Sequence, residues 1–282
     1  MKCAWQAYLN ILPNWMRSEV DKLGSESLQE LRIRTGLEPE LISSQGSYLL
    51  SRLATKEDIT FTINIASSYS PWTAQTIKDG YITAPGGHRI GICGLATVTD
   101  QKMCGLSVPS SLCIRVARDF DGIANKIGKV TGSILIIGPP GSGKTTFLRD
   151  LIRYKSDIGQ GNIAVVDERE EIFPLYKGQA CFYAGRHTDV LSGTEKAHGI
   201  EAVLRSMNPH WIAVDEITGK SDCEALLHAG WCGVNLIATA HAGSIYDLKN
   251  RPVYKPLIDN KLFENVVVLH RDKSWIIERI SQ

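Results

Sequence analysis

Residues 138–146 read Gly-Pro-Pro-Gly-Ser-Gly-Lys-Thr-Thr and fit G-x-x-x-x-G-K-[ST], the pattern of a phosphate-binding loop, or P-loop. A short apolar run at 133–137 comes before the loop, and a segment with helical spacing at 145–152 follows it. Backbone N–H groups point into such a loop, and the dipole of the following helix adds partial positive charge. The pattern therefore predicts a buried parallel strand, an anion-binding loop and a helix in direct succession.

All nine residues of the P-loop are expected to line a nucleotide site. They are Gly138, Pro139, Pro140, Gly141, Ser142, Gly143, Lys144, Thr145 and Thr146. We expect the Lys144 ammonium to reach the β- and γ-phosphates of ATP, where it takes part in catalysis, and the Thr145 hydroxyl to bind Mg²⁺.

Composition indicates an ordinary globular protein, since 43% of the 282 residues are hydrophobic and 22% are charged. The net charge is +1: residues 1–130 carry 14 basic and 12 acidic side chains, and residues 131–282 carry 17 and 18. This balance does not favour direct binding of nucleic acid. Seven cysteines without a C-x-x-C pair argue against a disulfide framework and a zinc site. Because no signal-peptide pattern and no apolar run of 18 residues occurs, we expect a cytoplasmic protein.

Residues 1–118 are predicted to form a small α+β domain. The alternation of polar and apolar residues at 30–36 predicts a half-buried strand with Arg32 and Arg34 on its solvent face. A helix is expected to start at 55–58, where acidic residues favour the positive end of its dipole, and to end near Ser67. The other predicted elements are a hairpin at 40–51, a helix that follows Pro71 and ends at Gly80, a hairpin at 81–98 that turns at 85–87, and a strand at 111–117.

A linker with a short helix is predicted at 119–130, and a second domain at 131–282. From 131 onward apolar runs alternate with helical segments, which is the pattern of a mostly parallel sheet with helices on both faces. The predicted strands lie at 133–137, 162–167, 211–215, 234–239 and 265–270, and the last is expected to continue into a hairpin that turns at Asp272 and Lys273.

Two of these strands end in paired carboxylates. The strand at 211–215 ends in Asp215 and Glu216; beside a P-loop, such an aspartate holds Mg²⁺ and the adjacent glutamate polarises the attacking water. The strand at 162–167 ends in Asp167 and Glu168, which are expected at the same edge of the sheet and could orient the water or the metal. The alternative for each pair is a solvated acidic turn, and this alternative is stronger for the second pair.

His241 follows the predicted strand at 234–239, and we expect its neutral imidazole to sense or bind the γ-phosphate. The alternative is a histidine that is merely hydrogen-bonded in a turn.

Arg89 and Arg115, on strands of the first domain, are expected to act from across the domain cleft as arginine fingers, which neutralise the transferring phosphate. Arg32, Arg34, Arg186 and Arg205 are further candidates. Taken alone, each arginine is more often a solvated residue.

This order of motifs resembles the secretion ATPase superfamily, whose members drive type II and type IV secretion and pilus assembly or retraction. Four of its boxes have counterparts here: the P-loop, the acidic box at 166–171, the Asp-Glu strand at 211–216 and the His box at 239–244. Its sporulation members are more similar still, over about residues 8–270. The phrases that carry this likeness include Glu-Leu-Arg-Ile-Arg at 30–34, Gly-Gly-His-Arg-Ile-Gly at 86–91, Arg-His-Thr-Asp-Val-Leu at 186–191 and Arg-Ser-Met-Asn-Pro at 205–209.

The resemblance implies an α/β fold: a RecA-like P-loop NTPase core with a mostly parallel sheet, preceded by a smaller α+β N-terminal domain. It also implies a homo-oligomeric ring, expected to be a hexamer, that sits at the membrane on the mother-cell side. There the ring would power or gate a membrane channel, made of membrane-embedded channel or secretion proteins, between mother cell and forespore during endospore formation.

The sequence departs from the secretion ATPase pattern at both carboxylate pairs. Members of that superfamily usually carry Glu-Asp in the acidic box and often Gly-Glu at the second strand, where this chain has Asp167-Glu168 and Asp215-Glu216. Which glutamate positions the water is therefore open. We expect Glu216, because it directly follows the aspartate that would hold Mg²⁺.

Two other functions are compatible with the P-loop. A nucleotide-gated scaffold would use ATP binding to order a ring and recruit a partner, with little hydrolysis. A small-molecule kinase would need an acceptor pocket and usually an arginine-rich lid, and the sequence has no lid-like insertion. An ATP-hydrolysing ring motor is the favoured interpretation, because the Asp-Glu strand end suits activation of water.

Overall fold

The computed structural model describes residues 1–68, 80–99 and 102–279, with only the backbone of residues 102 and 103. The helix predicted after Pro71 lies outside this part of the chain, apart from its last residue. The chain divides into two compact units. Unit 1 comprises Met1–Asp119 and Leu175–Phe182, and unit 2 comprises Phe120–Pro174 and Tyr183–Gln282.

Unit 1 is built on an antiparallel sheet with the strand order β3-β2-β1-β6-β5-β4. Its strands are β1 (Leu28–Arg34), β2 (Glu40–Ser43), β3 (Gly46–Leu49), β4 (Tyr81–Thr83), β5 (Arg89–Thr99) and β6 (Lys102–Arg115). Its described helices are α1 (Trp5–Asn10), α2 (Asn14–Ser27, interrupted at Gly24) and α3 (Lys56–Ser67). A short hairpin of β9 (Leu175–Tyr176) and β10 (Gln179–Ala180), which the sequence did not predict, also belongs to this unit.

The sheet of unit 1 has one buried and one solvent face. Leu31 and Ile33 of β1 are fully buried, while Arg32 and Arg34 between and after them are about two-fifths exposed. The prediction from the alternation at 30–36 is therefore confirmed. Helix α3 begins as predicted, because Thr55 accepts a hydrogen bond from the Asp58 N–H and the Asp58 carboxylate accepts one from the Thr55 N–H.

Unit 2 is built on a seven-stranded sheet with the order β11-β8-β12-β13-β7-β14-β15. All neighbours are parallel except β14 and β15, which form the predicted hairpin. The strands are β7 (Ile134–Ile137), β8 (Ile163–Asp167), β11 (Thr188–Ser192), β12 (Trp211–Val214), β13 (Asn235–Ala240), β14 (Asn265–Leu269) and β15 (Trp275–Arg279). The described helices are α4 (Lys144–Asp157), α5 (Lys196–Ser206), α6 (Lys220–Trp231), α7 (Ile245–Asn250) and α8 (Lys255–Asp259).

The five predicted strands of unit 2 are confirmed, and the mostly parallel sheet of a RecA-like core is present. The sequence missed β11, which pairs with β8 at the end of the sheet and is only half-buried. The central strands β7, β8 and β12 are completely buried, because the sheet is covered on both faces.

Strand order determines where the motifs meet. The strands β8, β12, β13 and β7 are consecutive neighbours and run parallel, so their carboxyl ends share one edge of the sheet. The acidic box, the Asp-Glu pair, the His box and the P-loop follow these four strands in that order. No helix among the described residues is long and apolar enough to cross a membrane.

Candidate nucleotide site

The P-loop connects β7 to α4, and two kinds of constraint set its shape. Gly141 and Gly143 have φ angles of 73° and 97°, in the left-handed region that favours glycine. Gly138 is required for a different reason. A Cβ atom at that position would lie 2.6 Å from Ser142 Oγ and 2.8 Å from the carbonyl oxygen of Leu269. The loop is therefore held tightly between its own Ser142 and the end of β14.

Features of the loop fit a phosphate ligand. Gly143 is the N-cap of α4 and has no side chain, so no side chain satisfies the first N–H groups of the helix. The Ser142 hydroxyl is buried and has no hydrogen-bond partner among the described residues. A phosphate group bound in the loop would supply acceptors for these donors.

Lys144 begins α4 and is nearly buried, with 7% of its surface exposed. Its ammonium donates to the carbonyl oxygens of Gly138 (3.0 Å) and Pro139 (3.2 Å) and lies 3.0 Å from Nδ1 of His241. Burial lowers the pKa of Lys144, and the nearby carboxylates of Asp215 and Glu216 oppose this effect. The Lys144 ammonium thus donates to two neutral carbonyl oxygens of the P-loop itself.

Thr145 and Asp215 are joined directly. The Thr145 hydroxyl donates to Oδ2 of Asp215 at 2.6 Å, across the gap between the start of α4 and the end of β12. The other oxygen, Oδ1, accepts from the Glu216 N–H at 3.0 Å and from the Thr239 hydroxyl. Oxygen donors of this kind suit Mg²⁺, so the two predicted metal ligands lie together.

Glu216 and His241 are in contact. Nε2 of His241 lies 3.2 Å from Oε1 of Glu216, whose second oxygen is 4.0 Å from the Arg169 guanidinium. Because the Lys144 ammonium can only donate, Nδ1 of His241 must accept; Nε2 then carries the proton and faces the Glu216 carboxylate. Glu216 itself has a φ of 46°, and its N–H also donates to Thr239 Oγ1 at 2.8 Å.

The Asp167 carboxylate of the acidic box is used inside the protein. It is 2% exposed and accepts from the backbone N–H groups of Glu171 (2.9 Å), Ile172 (3.0 Å) and Phe173 (2.8 Å). Burial raises the pKa of Asp167 to about 6; the three hydrogen bonds oppose this rise, and the negative charge of Asp215 adds to it. Asp167 therefore shapes the turn after β8. Sequence analysis gave two alternatives for this carboxylate: a solvated acidic turn, or a group that orients the water or the metal.

Glu168 points to a different partner. Its carboxylate lies 2.8 Å from the ammonium of Lys196, a nearly buried lysine at the start of α5. A small cavity of about 20 Å³, enough for one water molecule, is lined by Glu168, Lys196, Asp215 and Glu216 among others. The two candidate glutamates therefore border the same small space, but only Glu216 also borders the main cavity.

The main cavity of unit 2 has a volume of about 720 Å³, within the range of small-molecule sites. Its lining is Phe120, Ile123, Gly141, Ser142, Gly143, Lys144, Thr145, Thr146, Phe147, Glu171, Asp215, Glu216, Thr239, His241, Leu269 and Lys273. Six of the nine predicted P-loop residues line this cavity, and Gly138, Pro139 and Pro140 do not. The predicted metal ligands and His241 line it as well, together with apolar residues that could contact a nucleotide base.

Helix α4 fixes the segment that supplies two of these apolar residues. The Asp150 carboxylate accepts from the N–H groups of Gly122 (3.1 Å) and Ala124 (2.7 Å), so Phe120 and Ile123 are held at the cavity. Sequence analysis placed both residues in a linker and missed them. It also missed Leu269 and Lys273 as residues that line the cavity, and Lys196 as the partner of Glu168. The signal available for Phe120 was an apolar residue inside a polar linker.

The arginines are distributed over both units. Arg89 and Arg115 belong to unit 1, where they are cross-strand neighbours on β5 and β6. The Arg89 guanidinium lies 3.9 Å from the centre of the Tyr81 ring, and Arg115 lies 3.9 Å from Glu30. Their predicted role toward nucleotide stays a prediction.

Arg186 and Arg205 lie near the amino ends of the parallel strands of unit 2, opposite the edge that carries the P-loop. The Arg186 N–H donates to Asp157 at the end of α4, and Arg205 pairs with Glu201 near the end of α5. Both positions precede parallel strands, whereas the P-loop follows one. Neither arginine is therefore placed to contact a nucleotide in the P-loop of its own chain.

Comparison with known proteins agrees with this arrangement. Residues 6–277 match the model of the family described as "Sporulation stage III, protein AA". The chain is 36% identical over 277 residues to "Stage III sporulation protein AA" of Bacillus subtilis (strain 168). The aligned region covers 93% of this chain and 90% of that protein.

Two solved structures share the fold at low sequence identity. The pilus retraction motor PilT, solved with bound ADP, aligns with a TM-score of 0.64 at 17% identity, covering 90% of this chain and 76% of that one. The ATPase DotB of Legionella pneumophila aligns with a TM-score of 0.58 at 16% identity, covering 95% of this chain and 80% of that one. The chain therefore shares the fold of the pilus retraction motor PilT and of the ATPase DotB.

Proposed function

The chain belongs to the family of sporulation stage III protein AA, and from this premise we propose that it is a Mg²⁺-dependent ATPase. The observation that carries the proposal is the convergence of Lys144, Thr145, Asp215, Glu216 and His241 on one cavity. These residues come from three separate strand ends, and contacts of 2.6–3.2 Å connect them. The fold shared with the ATPase DotB and with the pilus retraction motor PilT, which was solved with bound ADP, supports the same reaction.

ATP would bind with its phosphates in the P-loop. The Lys144 ammonium would leave the carbonyl oxygens of Gly138 and Pro139 for phosphate oxygens, which are stronger acceptors because they are charged. Thr145 and Asp215 would hold Mg²⁺, which neutralises charge on the phosphate chain when it is bound. Phe120, Ile123 and Leu269 provide apolar surface for the base.

Glu216 is the proposed residue that orients the attacking water and accepts its proton, while the bond between the γ-phosphorus and the departing ADP oxygen breaks. Its contact with His241 supports a link to the nucleotide, because His241 also contacts Lys144. When Lys144 turns to the γ-phosphate, Nδ1 of His241 loses its donor and the His241–Glu216 contact is free to change. His241 is thereby proposed to sense the γ-phosphate.

Glu168 remains the alternative to Glu216. Its ion pair with Lys196 favours a structural role, since the carboxylate is engaged by a nearly buried ammonium and does not border the nucleotide cavity. We therefore assign the water to Glu216 and propose that Glu168 and Lys196 fix the wall of the small cavity between the carboxylate pairs.

We also propose that the ATPase acts as a homo-oligomeric ring, a hexamer by resemblance, that powers or gates a channel between mother cell and forespore from the mother-cell side of the membrane. In this ring, Arg89 and Arg115 would sense the phosphates of bound nucleotide. Their neighbouring positions on the solvent face of one sheet support a joint role, because two guanidinium groups there present adjacent donors.

The test is a set of matched variants assayed for nucleotide binding and for Mg²⁺-dependent release of phosphate. Glu216→Gln should keep ATP binding and slow turnover by roughly 100-fold or more, the range expected for loss of a general base. Lys144→Ala should lose turnover and weaken binding, and Glu168→Gln should lose less than Glu216→Gln. Glu224→Gln, an exposed change on α6, is the control that should leave turnover unchanged.

The proposal fails if Lys144→Ala hydrolyses ATP like the wild type. A larger loss of turnover in Glu168→Gln than in Glu216→Gln would assign the orientation of the attacking water to Glu168.

A nucleotide-gated scaffold is the second candidate, because the Glu216 carboxylate is already in contact with His241. A scaffold with Glu216→Gln would still support sporulation, whereas a motor with the same change would not.

A further inference from the structure

The turn between β14 and β15 brings a second lysine to the nucleotide cavity. Lys273 lies in this turn, lines the same cavity as Lys144, and donates a hydrogen bond to the carbonyl oxygen of Gly141 in the P-loop. None of the four motif boxes includes it, since it follows the His box by about thirty residues.

The hairpin is packed against the P-loop at two further points. The carbonyl oxygen of Leu269, the last residue of β14, leaves no room for a Cβ atom on Gly138. The Trp275 ring at the start of β15 contacts the Phe147 ring in the first turns of α4, with 5.2 Å between ring centres and an angle of 69°. The backbone on both sides of Lys273 is therefore fixed relative to the loop.

The turn itself is closed by local hydrogen bonds. The His270 N–H donates to the carbonyl of Ser274 at 2.9 Å, and the Lys273 N–H donates to the carbonyl of His270 at 3.2 Å. The Asp272 carboxylate is occupied by the N–H (3.0 Å) and hydroxyl (2.6 Å) of Ser274. Asp272 is thus engaged within the turn, and among the described residues Lys273 has no carboxylate partner.

The chemistry of Lys273 parallels that of Lys144. Both ammonium groups rest on neutral carbonyl oxygens of the P-loop, although an anion would be a stronger acceptor for either. Among the described residues, the buried hydroxyl of Ser142, next to Gly141, has no hydrogen-bond partner. The wall of the cavity therefore presents the Lys273 ammonium and an unsatisfied hydroxyl beside each other.

We propose that Lys273 is a second phosphate-binding lysine, which exchanges the Gly141 carbonyl for an oxygen of the phosphate chain when a nucleoside triphosphate binds. This inference rests on the proposed nucleotide site. It makes the β14–β15 hairpin a functional part of that site, so that the end of the sheet responds to whether nucleotide is present.

The experiment measures the dissociation constant of a fluorescent ATP analogue at several salt concentrations, together with the melting temperature with and without nucleotide. The variants are Lys273→Ala, Lys144→Ala and Arg271→Ala. Arg271 is the matched control, because it is a cation in the same turn that does not line the cavity.

Lys273→Ala is expected to weaken binding by roughly 5- to 20-fold, as for an exposed charge-assisted hydrogen bond. Its affinity should also depend less on salt, because one ion pair is gone. Its melting temperature without nucleotide should equal that of Arg271→Ala, whose affinity stays within about twofold of the wild type.

Wild-type affinity in Lys273→Ala would overturn the inference. So would weaker binding with an unchanged salt dependence, since Lys273 would then only brace the loop. Failure of the nucleotide site itself has a separate signature: the wild type and Lys144→Ala would then bind the analogue equally or not at all.

Discussion

Lys144, His241 and Glu216 form a chain of contacts in which the proton of one side chain sets the role of the next. The ammonium of Lys144 makes Nδ1 of His241 an acceptor, so the proton on Nε2 faces Glu216. In the proposed mechanism, a change at the lysine would reach the carboxylate through the imidazole. Such a short link suits the proposed detection of the γ-phosphate.

Asp167 has a structural role that gives a measurable dependence of stability on pH. Its pKa is raised by burial to about 6, from an ordinary 3.8, so the folded state holds the proton more tightly than the unfolded state. The stabilising contribution is fully present below about pH 4 and is lost as the pH rises through 6. The loss is on the order of 3 kcal/mol in the free energy of unfolding.

Asp167→Asn cannot ionise and should remove this fall in the free energy of unfolding between pH 4 and 6. The measurement is denaturant unfolding at a series of pH values. Asp189→Asn, an exposed change on the adjacent strand β11, should keep the wild-type slope. A wild-type slope in Asp167→Asn would show that another group titrates in this range.

The candidate residues at strand ends were predictable from sequence, because a buried apolar strand followed by polar residues is a local pattern. Asp215, Glu216 and His241 were found in this way. The contacts of the acidic box were not predictable from sequence. Lys196, which pairs with Glu168, lies 28 residues further along the chain, at the start of α5. The burial of Asp167 likewise depends on how residues 171–173 fold back onto it.

Helix α4 organises the site at the level of elements. Its first turn carries Lys144 and Thr145. One turn later, Arg149 donates to the carbonyl of Glu171 (2.8 Å), the last residue of the acidic box, and to the carbonyl of Ile172 after it. Asp150 holds the segment that carries Phe120 and Ile123. One helix therefore connects the P-loop, the acidic box and the apolar wall of the cavity, so a displacement of its first turn would reach all three.

Gly138→Ala tests how tightly the P-loop is held between Ser142 and β14. The added methyl group would meet the Leu269 carbonyl at 2.8 Å, and a backbone atom cannot move aside cheaply. We expect nucleotide binding to weaken more than about tenfold while the circular dichroism spectrum stays unchanged.

Gly219→Ala is the control, because its methyl group would meet only Ser221 Oγ at 3.7 Å. Equal nucleotide affinity in the two variants would contradict the account of the loop.

The elements themselves were largely predictable where their burial is regular. The alternation of β1 and the continuous apolar runs of β7, β8 and β12 produced correct strands. Strand β11 was missed because it is half-exposed, and the β9–β10 hairpin because each strand has two residues. Their existence depends on the neighbours they pair with, which no local pattern contains.

At the scale of the whole molecule, the chain combines a candidate nucleotide site in unit 2 with an arginine-bearing sheet in unit 1. The proposed ring would place nucleotide sites where arginines of the first domain can reach them. A site completed between subunits hydrolyses ATP only when subunits meet, so its rate per chain depends on assembly.

The most direct measurement is the rate of ATP hydrolysis per chain over a wide range of protein concentration, with Lys144→Ala as the blank. The account predicts a Lys144-dependent rate per chain that rises with concentration and levels off as the ring assembles, in step with the oligomer mass from light scattering. A Lys144-dependent rate that stays flat while the mass shifts from monomer to ring would contradict a site completed between subunits.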